Sequence, residues 1–296
     1  MSGLLLVFRS GQVQSIDLDT DTLGSYLSYP SGIQGIQRTL VIDNVVYGTD
    51  AANDAVLKID TATITTSTVA VHDFPQELAY DGTDIYVGSA TTADLSIINE
   101  STFTITTSAN TTGVPVSVTW LNPYVWFVSN DRYVRAYDPT TDSIASSMQL
   151  PVGSFATRIT NDGEYLYAAS DSTNRLHKID PSTLTSVADI AIAAVPQSPI
   201  VSGSDLFIGG LNANTVQRVD LTTFSTTATI TGFNAPIALA ATPGMLYVAN
   251  QLVNTVHRVD LLTNAIAASI TGIPGRALAY VPPTPTAGWV VGSVGW

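Results

Sequence analysis

Short apolar runs separated by polar clusters recur along the whole chain, and none keeps a helical period. One set reads VVYGTD, DIYVGSA, VWFVSND, YLYAASD, DLFIGGL and MLYVANQ. β-Branched and aromatic residues bounded by Gly, Asn, Asp and Ser are a strand signal. A second set precedes it: RTLVID, ELAYDG, VSVTWL, TRITND, SPIVSG, IALAAT and RALAYV. A third set follows as a phrase ending in an acid or amide, and a weaker fourth set comes after that, as in STVAV, ADIAIA, TATIT and AASIT. The pattern predicts four short strands in each stretch of about forty residues, and no helix.

The third set fixes the period. It reads QVQSIDLDT, AVLKIDTAT, DLSIINEST, YVRAYDPTT, RLHKIDPST, TVQRVDLTT and TVHRVDLLT. Its key positions are Asp17, Asp60, Asn99, Asp138, Asp180, Asp220 and Asp260, at spacings of 43, 39, 39, 42, 40 and 40 residues. Three residues after each stands a threonine: Thr20, Thr63, Thr102, Thr141, Thr183, Thr223 and Thr263. An Asp or Asn opening a tight turn accepts hydrogen bonds from backbone N–H groups two or three residues on. Pro139 and Pro181 follow two of them, where a turn favours the fixed φ of proline. This column is turn chemistry, expected at seven equivalent corners.

A four-stranded sheet of this size is not stable alone and must pack its faces on neighbours. Seven such units close into a ring, a seven-bladed β-propeller with antiparallel blades. The copy from Met245 to Thr263 resembles the YVTN-type propeller repeat, through Tyr247-Val248-Ala249-Asn250, Asn254-Thr255-Val256 and Val259-Asp260. The copy from Leu206 to Thr223 resembles it less closely, and those around Asn99 and Asp138 loosely. The resemblance implies the propeller fold, and scaffolds on bacterial and archaeal surfaces without a shared catalytic set. The Gly-His and Trp-Asp marks of WD40 repeats are absent.

The ring is expected to span residues 1–281. Its closing blade takes one strand from the C-terminal side, Arg276–Tyr280, and three from the N-terminal side, beginning with Leu4–Phe8. Residues 282–296 then remain as a Pro-rich linker and a tail, GWVVGSVGW. Trp289, Val290, Val291 and Trp296 mark this tail as a candidate interaction segment. It would pair within the closing blade, leaving Leu4–Phe8 as an extra edge strand, or dock on another subunit by strand addition.

Composition narrows the function classes. Hydrophobic residues make up 45% of the 296 and charged residues 12%, against about a quarter charged in an average soluble protein. The chain can therefore bury a sizeable core. Its net charge of −13 repels phosphate backbones and anionic lipid, so no nucleic-acid partner and no membrane insertion are expected. There are no cysteines, which removes disulfide, cysteine-metal and thiol chemistry. The run Leu4–Phe8 is too short for a signal peptide and no stretch reaches a membrane span.

Propellers commonly bind ligands where loops lead into the innermost strands. Here those loops bring Arg38, Glu77, Arg158 and Arg276 to similar places. Arg38, Arg158 and Arg276 could form an anion-binding mouth; ordinary pairing with Glu77, Asp73 or carbonyls is the plainer account. His72, Asp73 and Glu77 are the one compact group of acid/base types, and the weak candidates for catalysis. The other loops offer no second histidine and little acid, so neither a metal nor a cofactor is expected. His177 and His257 share a column with Gln14, Leu57, Ser96, Arg135 and Gln217, which marks it as a packing position.

Taken together these features suggest a non-enzymatic structural or protein-interaction propeller, self-assembling or bound to protein partners. A surface rich in Thr and Ser with only two lysines, a Met start without an export signal and a surplus apolar tail suggest a virion subunit: capsid-decorating, tail or fibre. Virion or extracellular placement follows from that. A propeller lyase or lactonase and a periplasmic or cell-surface ligand binder are the alternatives.

Overall fold

The structure, a computed structural model, describes residues 3–9, 11–28, 35–273, 275–283 and 290–291. Seven antiparallel sheets of four strands form a ring, and no helix occurs among the described residues. Blade 2 consists of Ile36–Ile42, Val45–Asp50, Ala55–Asp60 and Thr65–Ala70, from the axis outward. Blades 3 to 7 repeat this order, with inner strands Pro75–Tyr80, Pro115–Leu121, Ala156–Asn161, Pro196–Ser202 and Pro236–Thr242. Successive inner strands lie side by side around the axis, and Ala277–Val281 lies between those of blades 7 and 2.

Blade 1 closes the ring as the strand count predicts. Ala277–Val281 pairs with Leu4–Arg9, from Leu4 opposite Val281 to Phe8 opposite Ala277, and Gln12–Asp17 and Thr22–Ser28 complete the sheet. Leu4–Arg9 is therefore a second strand, not an added edge. The two described tail residues lie outside this blade as well: Val290 and Val291 pair antiparallel with Ile42 and Val41 on the inner edge of blade 2. The other inner strands pair outward only, so their free edges line the channel; in blade 2 the tail pair covers part of that edge. Trp289 and Trp296 lie outside the described residues.

The core sits between the blades. Seven apolar clusters correspond to the seven blade interfaces. Leu6 and Phe8 pack on Ile36 and Val46 of blade 2, while Leu5, Val7 and Ile16 pack on Tyr247 and Val256 of blade 7. Second strands are buried throughout because both their faces meet a neighbour, whereas outer strands such as Ser143–Gln149 alternate between exposed and half-buried positions.

All seven predicted corners form. Asp60 Oδ1 accepts from Ala62 N at 2.9 Å and Thr63 N at 2.9 Å; Asp17, Asp180 and Asp260 accept from the same two positions, Asn99 and Asp220 from the threonine N–H three residues on, and Asp138 from Thr140 N. The next residue is left-handed in every copy: Asp21, Ile64, Phe103, Asp142, Leu184, Phe224 and Asn264, with φ between 47° and 58°. No glycine relieves this conformation, which costs on the order of 1–3 kcal/mol per residue. At several corners that side chain docks on the preceding blade. Phe103 lies against Tyr47 and beneath Lys58, Phe224 against Tyr167 and beneath Lys178, and Asn264 accepts from Arg218. The same basic residues reach backbone carbonyls across the interface: Lys58 to Glu100, Lys178 to Leu221 and Arg218 to Leu261. Arg258 adds a fourth such contact by pairing with Asp21 of blade 1 at 3.1 Å.

Candidate functional site

The inner strands enclose a cavity of about 410 Å³, the size of a small-molecule site. In blades 2 to 7 the inner strand slips register near its start: between Ile36 and Thr39, Pro75 and Leu78, Pro115 and Ser117, Ala156 and Arg158, Gln197 and Ile200, Pro236 and Ala238. A β-bulge bends its strand and re-aims a side chain. Arg38, Glu77, Arg158 and Gln197 stand at four of these bulges, in blades 2, 3, 5 and 6.

Blades 2 and 5 are as far apart as a ring of seven allows, yet their arginines meet. Gln197 Oε1 accepts from Arg158 Nη2 at 2.9 Å and from Arg38 Nη2 at 3.4 Å. Arg38 also lies 3.5 Å from the Glu77 carboxylate and donates to the Gln37 carbonyl at 2.8 Å. Arg158 donates to its neighbour Thr157 O at 2.6 Å, and its Nε is buried with no hydrogen-bond partner among the described residues. The result is a polar bar across one end of the channel, with two guanidiniums and one carboxylate. Burial first, and then the charge of Arg38, push the Arg158 pKa down to about 9, while Glu77 and Asp171 act in the opposite direction. Arg158 keeps its charge at neutral pH, but at a cost that a nearby anion would relieve.

Below this bar the wall is mainly apolar, with Ala79, Val118, Ile159, Ala240 and Leu278 among its residues, and Tyr80, Asp81 and Trp120 lie at the far end. Inner-strand hydroxyls are spent on holding the strands together. Thr39 donates to Leu278 O at 2.7 Å, Ser198 donates to Ile237 O at 2.9 Å, and Ser117 accepts from Ile159 N at 3.1 Å.

The structure divides the candidates that sequence grouped. Of the three arginines, Arg38 and Arg158 converge. Arg276 is exposed and its backbone N–H bonds Phe8 O; like Arg158 and Gln197 it is not among the residues lining the cavity below, but unlike them it does not reach Arg38. It precedes an inner strand that lacks the bulge, so nothing turns it inward. His72, Asp73 and Glu77 do not form one group either. Glu77 faces Arg38 in the channel, whereas His72 Nδ1 lies 4.0 Å from Asp94 and Asp73 is exposed. Among the described residues no three His, Cys, Asp or Glu side chains gather as a metal site would require. His177 is buried with Nε2 3.2 Å from Ser154 Oγ, and His257 lies against Phe233 and 2.8 Å from Ser269 Oγ. Burial lowers both pKa values, in keeping with packing roles. Gln197, the amide joining the two arginines, was not singled out from sequence; its place in the bulge column beside Gln37 and Gln76 is the signal that marks it.

The molecule is thus an all-β, seven-bladed propeller with a polar bar across its channel. No family model matches the chain, and no curated protein matches it. Solved structures share its fold. A protein from Lactobacillus plantarum aligns with a TM-score of 0.77 at 14% identity, over 95% of this chain and 99% of that one. Apo AztD from Citrobacter koseri aligns at 0.71 and 10% identity, over 94% and 98%. Hydrazine synthase of Kuenenia stuttgartiensis aligns at 0.71 and 13% identity, over 84% and 92%. At such identities the likeness establishes the fold alone, and the neighbours have unrelated functions.

Proposed function

We propose that this chain is a non-enzymatic binding propeller whose channel holds a small anionic ligand at Arg38 and Arg158. One observation carries the reading: bulged strands on opposite sides of the ring bring two guanidiniums to a single amide oxygen, with Glu77 as the carboxylate between them. Such an arrangement is costly for the fold alone, because like charges are gathered in a poorly hydrated place. Perturbed charges at a cavity are what a binding site produces. The YVTN-type kinship suggested by Met245–Thr263 belongs to the same proposal, supported by the corners shared by all seven copies.

A thermal-shift screen of acetate, octanoate and inorganic phosphate against the protein and an Arg158→Gln variant tests it. A ligand at about a hundred times its Kd adds about 2.7 kcal/mol, which raises the melting midpoint by several degrees in the parent and not in the variant. If no anion separates the two proteins, the binding proposal is wrong.

A second reading keeps the protein as a subunit of a larger assembly, with a virion as one setting. It is supported by Val152, Phe155 and Leu252, which stand in loops with relative exposures of 94%, 44% and 70%. Light scattering on the parent and on a Val152→Asp, Phe155→Asp, Leu252→Asp variant tests this: an assembly built through these loops dissociates, and an unchanged mass refutes it.

A further inference from the structure

We infer that the channel's ligand is a monocarboxylate with an apolar body, its carboxylate seated on the Arg38–Arg158 bar and its body running down the channel. This inference rests on the anion-binding reading and narrows it to one chemical class.

Charge comes first. The bar carries two guanidiniums and the Glu77 carboxylate, so its surplus is a single positive charge. One carboxylate neutralises it. A phosphate, at about −1.5 to −2 near neutral pH, would overshoot in a setting where unbalanced charge is costly. Geometry agrees. Arg158 Nε is buried and unpartnered among the described residues, and the Nε edge of a guanidinium offers parallel donors that match the two oxygens of a carboxylate.

The rest of the cavity selects the body. Arg38 is the one basic residue in the described lining, and the wall below it is mainly alanine, valine, leucine and isoleucine, with hydroxyls such as Thr39 and Ser198 already bonded to neighbouring strands. From Glu77 to Asp81, along blade 3, whose inner edge carries no tail pair, is four residues in the lining, about 13 Å at strand rise, enough for an extended eight-carbon chain. Asp81 stands at the far end, with its carboxylate accepting from Thr83 N, Asp84 N and the Tyr86 hydroxyl. A second acid group on the ligand would meet this negative charge, so a dicarboxylate is disfavoured. A neutral alcohol of the same length would leave the bar's surplus charge unmet.

Calorimetric titration with four probes tests the assignment: octanoate, octanedioate, 1-octanol and inorganic phosphate, each against the parent, Arg158→Gln and Glu77→Gln. Octanoate should bind the parent at least about tenfold more tightly than the other three. Arg158→Gln should weaken octanoate by about tenfold or more, and Glu77→Gln, which raises the surplus charge, should tighten it severalfold. Opposite effects from the two substitutions cannot come from a general loss of folding. Phosphate binding that depends on Arg158, with octanoate no tighter, would overturn the ligand class and leave the anion site standing. Octanedioate equal to octanoate overturns the single-acid assignment. Octanol equal to octanoate, or no probe bound at all, overturns both the class and the site.

Discussion

Replacing Arg218 tests whether the basic column of the third strands holds neighbouring blades together. Its guanidinium donates to Leu261 O at 2.7 Å and to Asn264 Oδ1 at 3.1 Å across the interface, and to Asp205 at 2.6 Å within its own blade. Arg218→Met keeps an aliphatic side chain of similar bulk and removes all three bonds together with the guanidinium that lies over Phe207. Charge-assisted bonds contribute about 1.5–3 kcal/mol each in isolation. The pair with Asp205 is 23% and 16% exposed, and bonds made by one group do not add, so a combined loss of about 2–3 kcal/mol is expected. With about 2.1 cal/mol/K of unfolding entropy per residue over 296 residues, the melting midpoint should fall by roughly 3–5 °C. Arg218→Lys supplies a control from the molecule itself. Lys58 and Lys178 serve this column with one carbonyl bond each, at 3.5 Å, so lysine should restore about half the loss. Scanning calorimetry of the three proteins at one scan rate gives the answer. A methionine variant within about 1 °C of the parent, or a lysine variant no better than methionine, would show that these bonds do not hold the ring.

Two further outcomes follow from the corners and the blade contacts. Asp17, Asp60, Asp220 and Asp260 are held below the usual carboxylate range chiefly by backbone N–H donors, and Asp138 and Asp180 first by the hydroxyls of Thr140 and Ser182. The unfolded chain therefore takes up protons before the folded one. Their stabilisation is complete above the ordinary carboxylate pKa of about 4 and is lost as pH falls through the lower folded values. His177 and His257 are likewise pushed down by burial, so a smaller loss should begin near their unfolded value of about 6.5. Melting midpoints recorded from pH 8 to 3 should show both steps, and His177→Gln, the residue that blades 1 and 6 carry there, should reduce the upper one; a midpoint flat down to pH 3 contradicts the corner chemistry. Finally, a Cβ at Gly88 would lie 2.4 Å from the backbone oxygen of Pro115 in the next blade. Gly88→Ala should cost about 1–3 kcal/mol by overpacking, and a melting curve that does not move would show that the blades can part there freely.

The architecture was legible because its signals are local and repeated. An Asp or Asn and a Thr three residues later lie in one turn, so seven copies could be aligned and the closing strand assigned. What escaped notice depends on register or on distance through space. The left-handed corner residues carry no glycine, and Ile64, Leu184 and Phe224 look like ordinary apolar positions until their contacts with the previous blade are seen. The bulges that aim Arg38 and Arg158 inward exist only in the pairing of two strands. Arg276 aligns with them in sequence and stays outside because its strand lacks that slip. Gln197 acts on residues 39 and 159 positions away, a reach that no pattern within one repeat reveals. The tail failed for a similar reason: Val290–Val291 looks like a second strand, but the open edge it meets belongs to an inner strand.

The closing blade also sets an order of events when the chain is made. Leu4–Arg9 is synthesised near the start, while its axial neighbour, Ala277–Val281, follows some 270 residues later. At ribosomal speeds of about 5–20 residues per second, the first sheet waits many seconds with its inner edge unpaired, in a ring that is still a gapped arc. During that interval the nascent chain offers a ready template for strands of other copies. A cell making this protein therefore has reason to shield the growing arc until its last rung emerges.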